Sequence, residues 1–551
     1  MTRSLPHILR YLFKLLRGHR LQVTLNILAG VVLVGLDLAF VWATKLAIDI
    51  ATEHSCALPL RFAFGLIAAI MLSRIAIMVA LRWVRAVLGV RAQNSMRRHV
   101  FARLLQSQWG ALRCYHTGNL TNRMERDVTD VVNFVTESIP SLVTTCVQFI
   151  GAFFFLFFMD RTLAVIVVCV IPFFLLSSKL YVRTMRRLSH QVRDEESGIQ
   201  SIIQETLQHA LVVKTLDRVR YFIELLSDRQ QHLHGTVLTR TRYSTLSLGI
   251  LNLGFATGYF VTFAWGATQL AAGAISYGAM LAFIQLVSQI QNPVRNLSRF
   301  IPVFISSFTA AERLMDLEEI PIEQSEGAKP LQAPVGLHLE HVSFRYTPES
   351  RWIQQDFSYS FPAGSVTAIV GETGAGKTTL IRLLLSLITP LEGKVSFVDG
   401  EGKVIPITPE YRKNFAYVPQ GNSLISGTIR SNLLLGNPDA TDEQLREALE
   451  IAAADFVFRK PAGLDSPCGE TGDGLSEGQA QRIAIARALL SSGNIFIFDE
   501  ATSSLDAETE RIVLQRIVAH YPHHTFIFIT HRPEVLKYAT QVLELKRMKK
   551  N

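Results

Sequence analysis

The residues best placed to do chemistry lie in the last third of the chain. Gly371-Glu372-Thr373-Gly374-Ala375-Gly376-Lys377-Thr378-Thr379 follows the β-rich run Val366–Val370. Glycines at this spacing let backbone N–H groups wrap phosphate oxygens, and a helix opening at the end of the loop adds the positive end of its dipole. In that pattern Lys377 reaches the β- and γ-phosphates of a nucleoside triphosphate, and the Thr378 hydroxyl ligates Mg2+. A second apolar run, Ile495–Phe498, ends in Asp499-Glu500. Asp499 suits a grip on Mg2+, and Glu500 suits the base that polarises an attacking water. An Asp-Glu pair alone says little; it gains weight downstream of a phosphate loop in the same α/β segment.

These residues need a scaffold, and the pattern changes sharply along the chain. Residues 336–551 alternate short β-rich runs with helical patterns and read as one soluble α/β domain. Pro321, Gly327, Pro330 and Pro334 mark residues 318–335 as a linker. Upstream, residues 21–317 hold six apolar runs: Leu21–Ile50, Leu60–Val84, Ile139–Met159, Leu163–Leu180, Leu246–Ala271 and Tyr277–Ser307. A hydrocarbon core of roughly 30 Å needs about 20 helical residues, so each run can span it. The first, third and fifth loops are short. The second and fourth are long and Arg-rich; Arg85, Arg91, Arg97, Arg98, Arg103, Arg113, Arg123 and Arg126 all fall in the second. The positive-inside rule places these loops, both termini and the soluble domain in the cytosol. Residues 1–20 alternate apolar and basic residues, as a helix lying on the inner membrane face does. The apolar run that follows is too long for a secretory signal, and no small-residue cleavage site ends it.

Hydrophobic residues make up 49% of the 551 residues and charged residues 18%, with a formal net charge of +9. The positive charge sits in loops between apolar runs, which points to a membrane and not to nucleic acid. Cys56, Cys114, Cys146, Cys169 and Cys468 are scattered without a CxxC pair and read as free thiols.

Leu475-Ser476-Glu477-Gly478-Gln479 and the following Ala480–Ala488 resemble the signature segment of ATP-binding cassette (ABC) transporters. Four further elements resemble that family and occur in its order. Tyr346 is similar to the aromatic that stacks on adenine. Gln420 is similar to the loop glutamine that senses Mg2+ and contacts the membrane domain. Ser504-Leu505-Asp506 resembles the loop after the catalytic glutamate, and His531 the switch histidine on the γ-phosphate. In the membrane half, Met96–Phe101 with Thr117–Arg123 resembles the first intracellular loop of ABC exporters, and Ala310–Arg313 the exit from helix six. The resemblance implies a membrane α-helical fold of six transmembrane helices, the ABC exporter fold, joined to an α/β P-loop ATPase domain. It implies coupling helices near Tyr115–Asn119 and His209–Leu211. It implies ATP and Mg2+ as cofactors, with Gln420 joining Thr378 and Asp499 at the metal. It also implies a dimer, in which Ser476, Gly478 and Gln479, with Asp506 beside them, complete the phosphate site held by the partner's Lys377. Two departures stand out. Glu477 occupies a position where the family usually has glycine, and the chain stops soon after His531.

Charge inside a span is costly and therefore a candidate for function. Arg74 lies mid-span, and Asp37, Lys45 and Asp49 share one helix face. They either pair to tie helices together or, for Arg74, meet an anionic head group. Gln285, Gln289 and Asn292 form a polar stripe on the sixth run. The expected function is ATP-driven export or flipping of an amphipathic lipid, drug or peptide across the cytoplasmic membrane by two half-transporters. A homodimer is favoured, with membrane lipids and the transported substrate as the other partners and no nucleic acid. Alternatives are a degenerate subunit of a heterodimeric exporter and an ATP-gated channel or regulatory subunit on the same fold. The six spans exclude a soluble ABC ATPase, and the sequence does not name the substrate.

Overall fold

The computed structural model describes residues 3–15, 18, 20–52, 59–113, 115, 117–323, 327–469 and 474–548. Within these, the side chains of residues 5, 9, 13, 15, 117, 170–183, 186, 298, 299 and 301 are excepted. Much of the expected first loop, with Cys56, and Cys114 in the second loop lie outside the described residues. Contacts divide the chain into two units: Met1–Phe101 with Gly118–Glu318, and Ala102–Thr117 with Glu319–Asn551.

The first unit is helical. Arg20–Ala51, Leu60–Leu105, Gly118–Met159 and Val219–Ala271 are long and apolar enough to cross a membrane. Arg161–Gln208 and Tyr277–Glu318 are helices of 48 and 42 residues that cover the fourth and sixth apolar runs. Gln285, Ser288, Gln289, Gln291 and Asn292 lower the apolarity of the sixth. The spans do not stop at the membrane boundary: the helix of the second continues from Val84 through the Arg-rich stretch to Leu105. No proline or glycine pair interrupts it, and Ala, Met, Gln and Arg are good helix formers.

The core of this unit gathers Val41, Leu156, Leu163, Phe283, Leu286 and Ile290 from several helices. At the short third loop Asp160 caps the next helix through Leu163 N–H (2.9 Å) and accepts from Trp265 Nε1 (2.8 Å). Within the spans Arg74 pairs with Asp37 at 2.8 Å and Lys45 with Asp49 at 3.3 Å. Asp49 also accepts from the Gly278 N–H at 3.2 Å, a close approach that a Cβ at Gly278 would block by sitting 2.9 Å from the Asp49 Cγ. Along the polar stripe Gln289 donates to the Asp37 carbonyl at 3.5 Å and Asn292 to Ser288 at 3.5 Å. The N-terminal helix Leu5–Leu15 turns Ile8, Tyr11 and Leu12 into protein. Tyr11 donates to Glu318 at 3.0 Å, and the Arg3 N–H donates to Glu312 at 2.9 Å. Among the described side chains of this helix, Ile8, Tyr11 and Leu12 are covered by the chain itself.

The second unit is built on sheets. β1 (Gly336–Phe344), β2 (Gln354–Phe361), β4 (Glu392–Val398) and β5 (Val404–Pro406) form an antiparallel sheet in the order β2-β1-β4-β5. β3 (Val366–Gly371), β6 (Phe415–Val418), β9 (Ile495–Asp499), β10 (Thr525–Ile529) and β11 (Gln541–Leu545) form a parallel sheet, order β11-β3-β10-β9-β6. A two-stranded ladder joins β7 (Gly427–Thr428) and β8 (Pro467–Cys468). All five residues of β9 and of β10 are buried, as strands covered on both faces must be. Stacked Phe496, Phe498, Phe526 and Phe528 fill one side, and Ile495, Ile497, Ile527 and Ile529 the other. The short helix Trp109–Leu112 belongs to this unit, with Arg382 4.9 Å over the Trp109 ring.

Candidate active site

The loops at the C-terminal ends of β3, β9 and β10 carry the chemistry, the place where open parallel sheets bind ligands. After β3 the chain passes through Gly371, Gly374 and Gly376 at φ of 154°, 81° and 98°. A Cβ at Gly376 would lie 2.8 Å from Ile353 Cγ2, so both backbone angle and space demand glycine there. Arg351 braces the loop by donating to the Gly374 carbonyl at 3.2 Å. Glu372 and Thr373 are exposed at its turn, and Ala375 is buried beneath it. The helix Lys377–Leu384 then begins, with the Thr378 side chain exposed at its first turn and Thr379 buried.

Lys377 is 9% exposed. Its Nζ donates to the Gly371 carbonyl and lies 2.9 Å from His531 Nε2, an acceptor from the ammonium when the imidazole is neutral. His531 follows β10, so this contact ties the phosphate loop to the next strand. Asp499, 5% exposed, ends β9. Burial first, and the neighbouring Glu500 carboxylate second, push its carboxyl above the ordinary range; Tyr417, Arg382 and Lys377 pull the other way. Tyr417 donates to Asp499 at 3.4 Å. Glu500 sits at φ 51°, a left-handed conformation that costs a non-glycine residue energy and is met at functional sites. Its N–H donates to the Ile529 carbonyl at 3.0 Å, and its carboxylate accepts from Gln420 Nε2 at 2.6 Å. Lys377, His531, Asp499, Glu500 and Gln420 thus fall together.

Tyr346 lies to one side of this cluster. Its hydroxyl accepts from Arg382 at 2.7 Å and sits 3.2 Å from Thr379 Oγ1, with Arg113 5.8 Å over the ring. The signature residues make different contacts. Ser476 caps the helix Glu477–Leu489: its Oγ accepts from Gln479 N–H at 3.2 Å, and Gln479 Oε1 accepts from Ser476 N–H at 3.1 Å. This reciprocal box leaves the helix start, Glu477 included, exposed. A Cβ at Gly478 would lie 2.8 Å from the Ser504 carbonyl, so glycine brings the helix against the next loop. Asp506 caps its own helix through Thr509 N–H at 2.9 Å, and that hydrogen bond holds its carboxyl below the usual range.

Four bracing residues escaped the sequence reading. Gln481, 1% exposed, donates to Ser503 at 3.1 Å and accepts from Ser504 N–H at 3.1 Å. Arg532 donates to the Leu505 carbonyl at 2.7 Å and pairs at 3.3 Å with Glu510, which is 1% exposed. Thr502 donates to Glu510 at 2.6 Å. Each sits next to a recognised motif, and only the fold shows that they hold the Ser504–Asp506 loop.

Residues 23–294 match the ABC transporter transmembrane region, and residues 354–503 match the ABC transporter family model. A multidrug export ATP-binding/permease protein of Staphylococcus aureus (strain NCTC 8325 / PS 47) is 28% identical over 433 residues, covering 78% of this chain and 75% of the relative. The same figures hold for the corresponding protein of the bovine strain RF122 / ET3-1. The solved structure of a bacterial Atm1-family ABC exporter with ATP bound matches at TM-score 0.79 and 24% identity, over 96% of this chain and 94% of that one. That last likeness shows the fold. With both regions matched in this order along one chain, the protein belongs to the ABC transporter family: it is a multi-pass membrane protein of the exporter type whose second region is an ATPase.

Proposed function

We propose that two copies of this chain form an exporter that holds two ATP molecules, each with Mg2+, at their shared face and moves an amphipathic substrate across the membrane. In each site Tyr346 stacks on adenine and residues Gly371–Thr379 cradle the phosphates. Thr378, Gln420 and Asp499 surround the metal. Glu500 activates water and His531 contacts the γ-phosphate. Ser476, Gly478, Gln479 and Asp506 face the nucleotide held by the other copy. ATP binds the closed arrangement better than the open one, so it shifts the population toward closure, and hydrolysis reverses the shift. Both termini and the ATPase unit lie in the cytosol on the positive-inside argument.

The observation that carries this reading is the convergence of Lys377, His531, Gln420, Asp499 and Glu500 at the ends of neighbouring parallel strands. A regulatory ATP-gated subunit has no need of an intact hydrolytic set. Glu477 supports a second reading: a carboxylate exposed at the signature helix start repels phosphate, as in a subunit whose natural mate is a different half-transporter. The test is Glu500→Gln with labelled ATP. The account expects turnover to vanish while ATP stays bound in a stable two-copy complex. Loss of nucleotide binding together with turnover contradicts the role given to Glu500.

A further inference from the structure

Two arginines near the end of the second span share the wall of a cavity of about 540 Å3. Arg82 and Arg85 stand three residues apart on the helix Leu60–Leu105, the spacing that puts like charges on one face at an energetic cost. Arg74, eight residues earlier, is neutralised by Asp37. Arg82 makes no hydrogen bond or ion pair among the described residues. Arg85 is held from behind: its Nε donates to Asn26 Oδ1 at 2.8 Å, and Asn26, 1% exposed, donates to the Thr136 carbonyl at 3.1 Å. That chain fixes one edge of the guanidinium and leaves its two Nη groups for a ligand. Glu137 and Asn133 line the same wall, so two arginines against one carboxylate leave a net +1.

The rest of the lining is apolar. Met78 and Leu81 face the cavity, and Met78, Val79 and Trp83 are 53%, 60% and 73% exposed along the adjoining helix surface. This is the depth at which the apolar run gives way to the Arg-rich stretch, where aromatic and basic side chains meet lipid head groups. A guanidinium fork binds phosphate oxygens in a bidentate manner. A phosphodiester carries a single negative charge, which matches the wall. Free phosphate would use the arginines and not the apolar surface.

We propose that this cavity is a binding site for an anionic phospholipid, its phosphodiester on Arg82 and Arg85 and its acyl chains along the Met78 side. The site is separate from the nucleotide site and is independent of which substrate is transported.

The test uses the full chain in nanodiscs made from equal phosphatidylglycerol and phosphatidylcholine, with the lipids retained after purification counted by mass spectrometry. The expected result is retention of phosphatidylglycerol over phosphatidylcholine by about tenfold, which is about 1.4 kcal/mol of discrimination. The R82Q/R85Q chain loses that preference while its basal ATPase activity stays unchanged, which shows that it has folded. Arg85→Lys, which keeps charge and loses the fork, retains part of it. An unchanged preference in R82Q/R85Q overturns the proposal. So does displacement of the bound lipid by millimolar inorganic phosphate, which would make free phosphate the ligand.

Discussion

At the scale of single residues the site is a balance between charge and burial. Asp499 is buried beside Glu500, and its carboxyl is pushed up. A carboxyl raised in the folded state contributes stability below its ordinary pKa and loses it as pH rises through the raised value, so at neutral pH Asp499 weighs against the nucleotide-free fold. Asp499→Asn is therefore expected to raise the thermal midpoint of the nucleotide-free chain while lowering Mg2+-dependent ATP hydrolysis by about 10²-fold or more. Calorimetry with and without Mg-ATP separates the two effects; a lower midpoint in the nucleotide-free variant counts against the burial argument. Lys377 is the opposite case. Its ammonium rests on the Gly371 carbonyl and His531, and in the proposed site it moves to phosphate. Lys377→Ala is expected to weaken ATP binding about tenfold or more, since one charge-assisted contact is lost. An unchanged Kd in equilibrium dialysis contradicts that placement.

At the scale of elements, the loop after β9 is held by partners distant in sequence. Arg532 neutralises Glu510 and fastens the Leu505 carbonyl. Arg532→Ala leaves a buried carboxylate with Thr502 as its side-chain partner among the described residues. The full cost of breaking a buried pair is about 3–5 kcal/mol, and Arg532's partial exposure reduces it to about 2–3 kcal/mol. Denaturation of the variant checks this; a loss within about 0.5 kcal/mol, typical of a surface site, shows that the pair does not hold the loop. The contrast explains what the sequence could reveal. Gly371–Thr379 is legible because its chemistry is contiguous and its spacing is dictated by phosphate geometry. Gln481, Arg532 and Glu510 are not, because a brace between residues 8 to 27 positions apart has no local pattern. The six apolar runs mark helices, and the helical pattern of the long Arg-rich stretches between them, which carry no terminator, agrees with the continuous helices Leu60–Leu105, Arg161–Gln208 and Val219–Ala271. Amphipathicity in the N-terminal helix does not say whether lipid or protein covers an apolar side chain; Ile8, Tyr11 and Leu12 are buried against the chain itself. Near the expected coupling segments the structure places the helices Trp109–Leu112, Thr117–Asn122 and Ala210–Thr215, with His116 outside the described residues.

At the scale of the whole molecule, the question is whether this chain suffices by itself. Each copy carries one phosphate loop and one signature segment, and Ser476 and Gly478 contact Gln479 and the Ser504 loop within their own chain. The account assigns their free side to a second copy. Glu477 decides how well that works. It occupies the first helical position, where a carboxylate is favoured by the helix dipole and costs nothing to the fold. In the proposed dimer its effect falls on the γ-phosphate held by the other copy. The most direct measurement is the ATPase rate of this chain purified alone in lipid, compared with Glu500→Gln and Glu477→Gly. The account predicts turnover at least about 10²-fold above the Glu500→Gln background, as expected for loss of a general base, with Glu477→Gly close to wild type. Turnover at background in both wild type and Glu477→Gly, restored only by adding a different half-transporter, contradicts it.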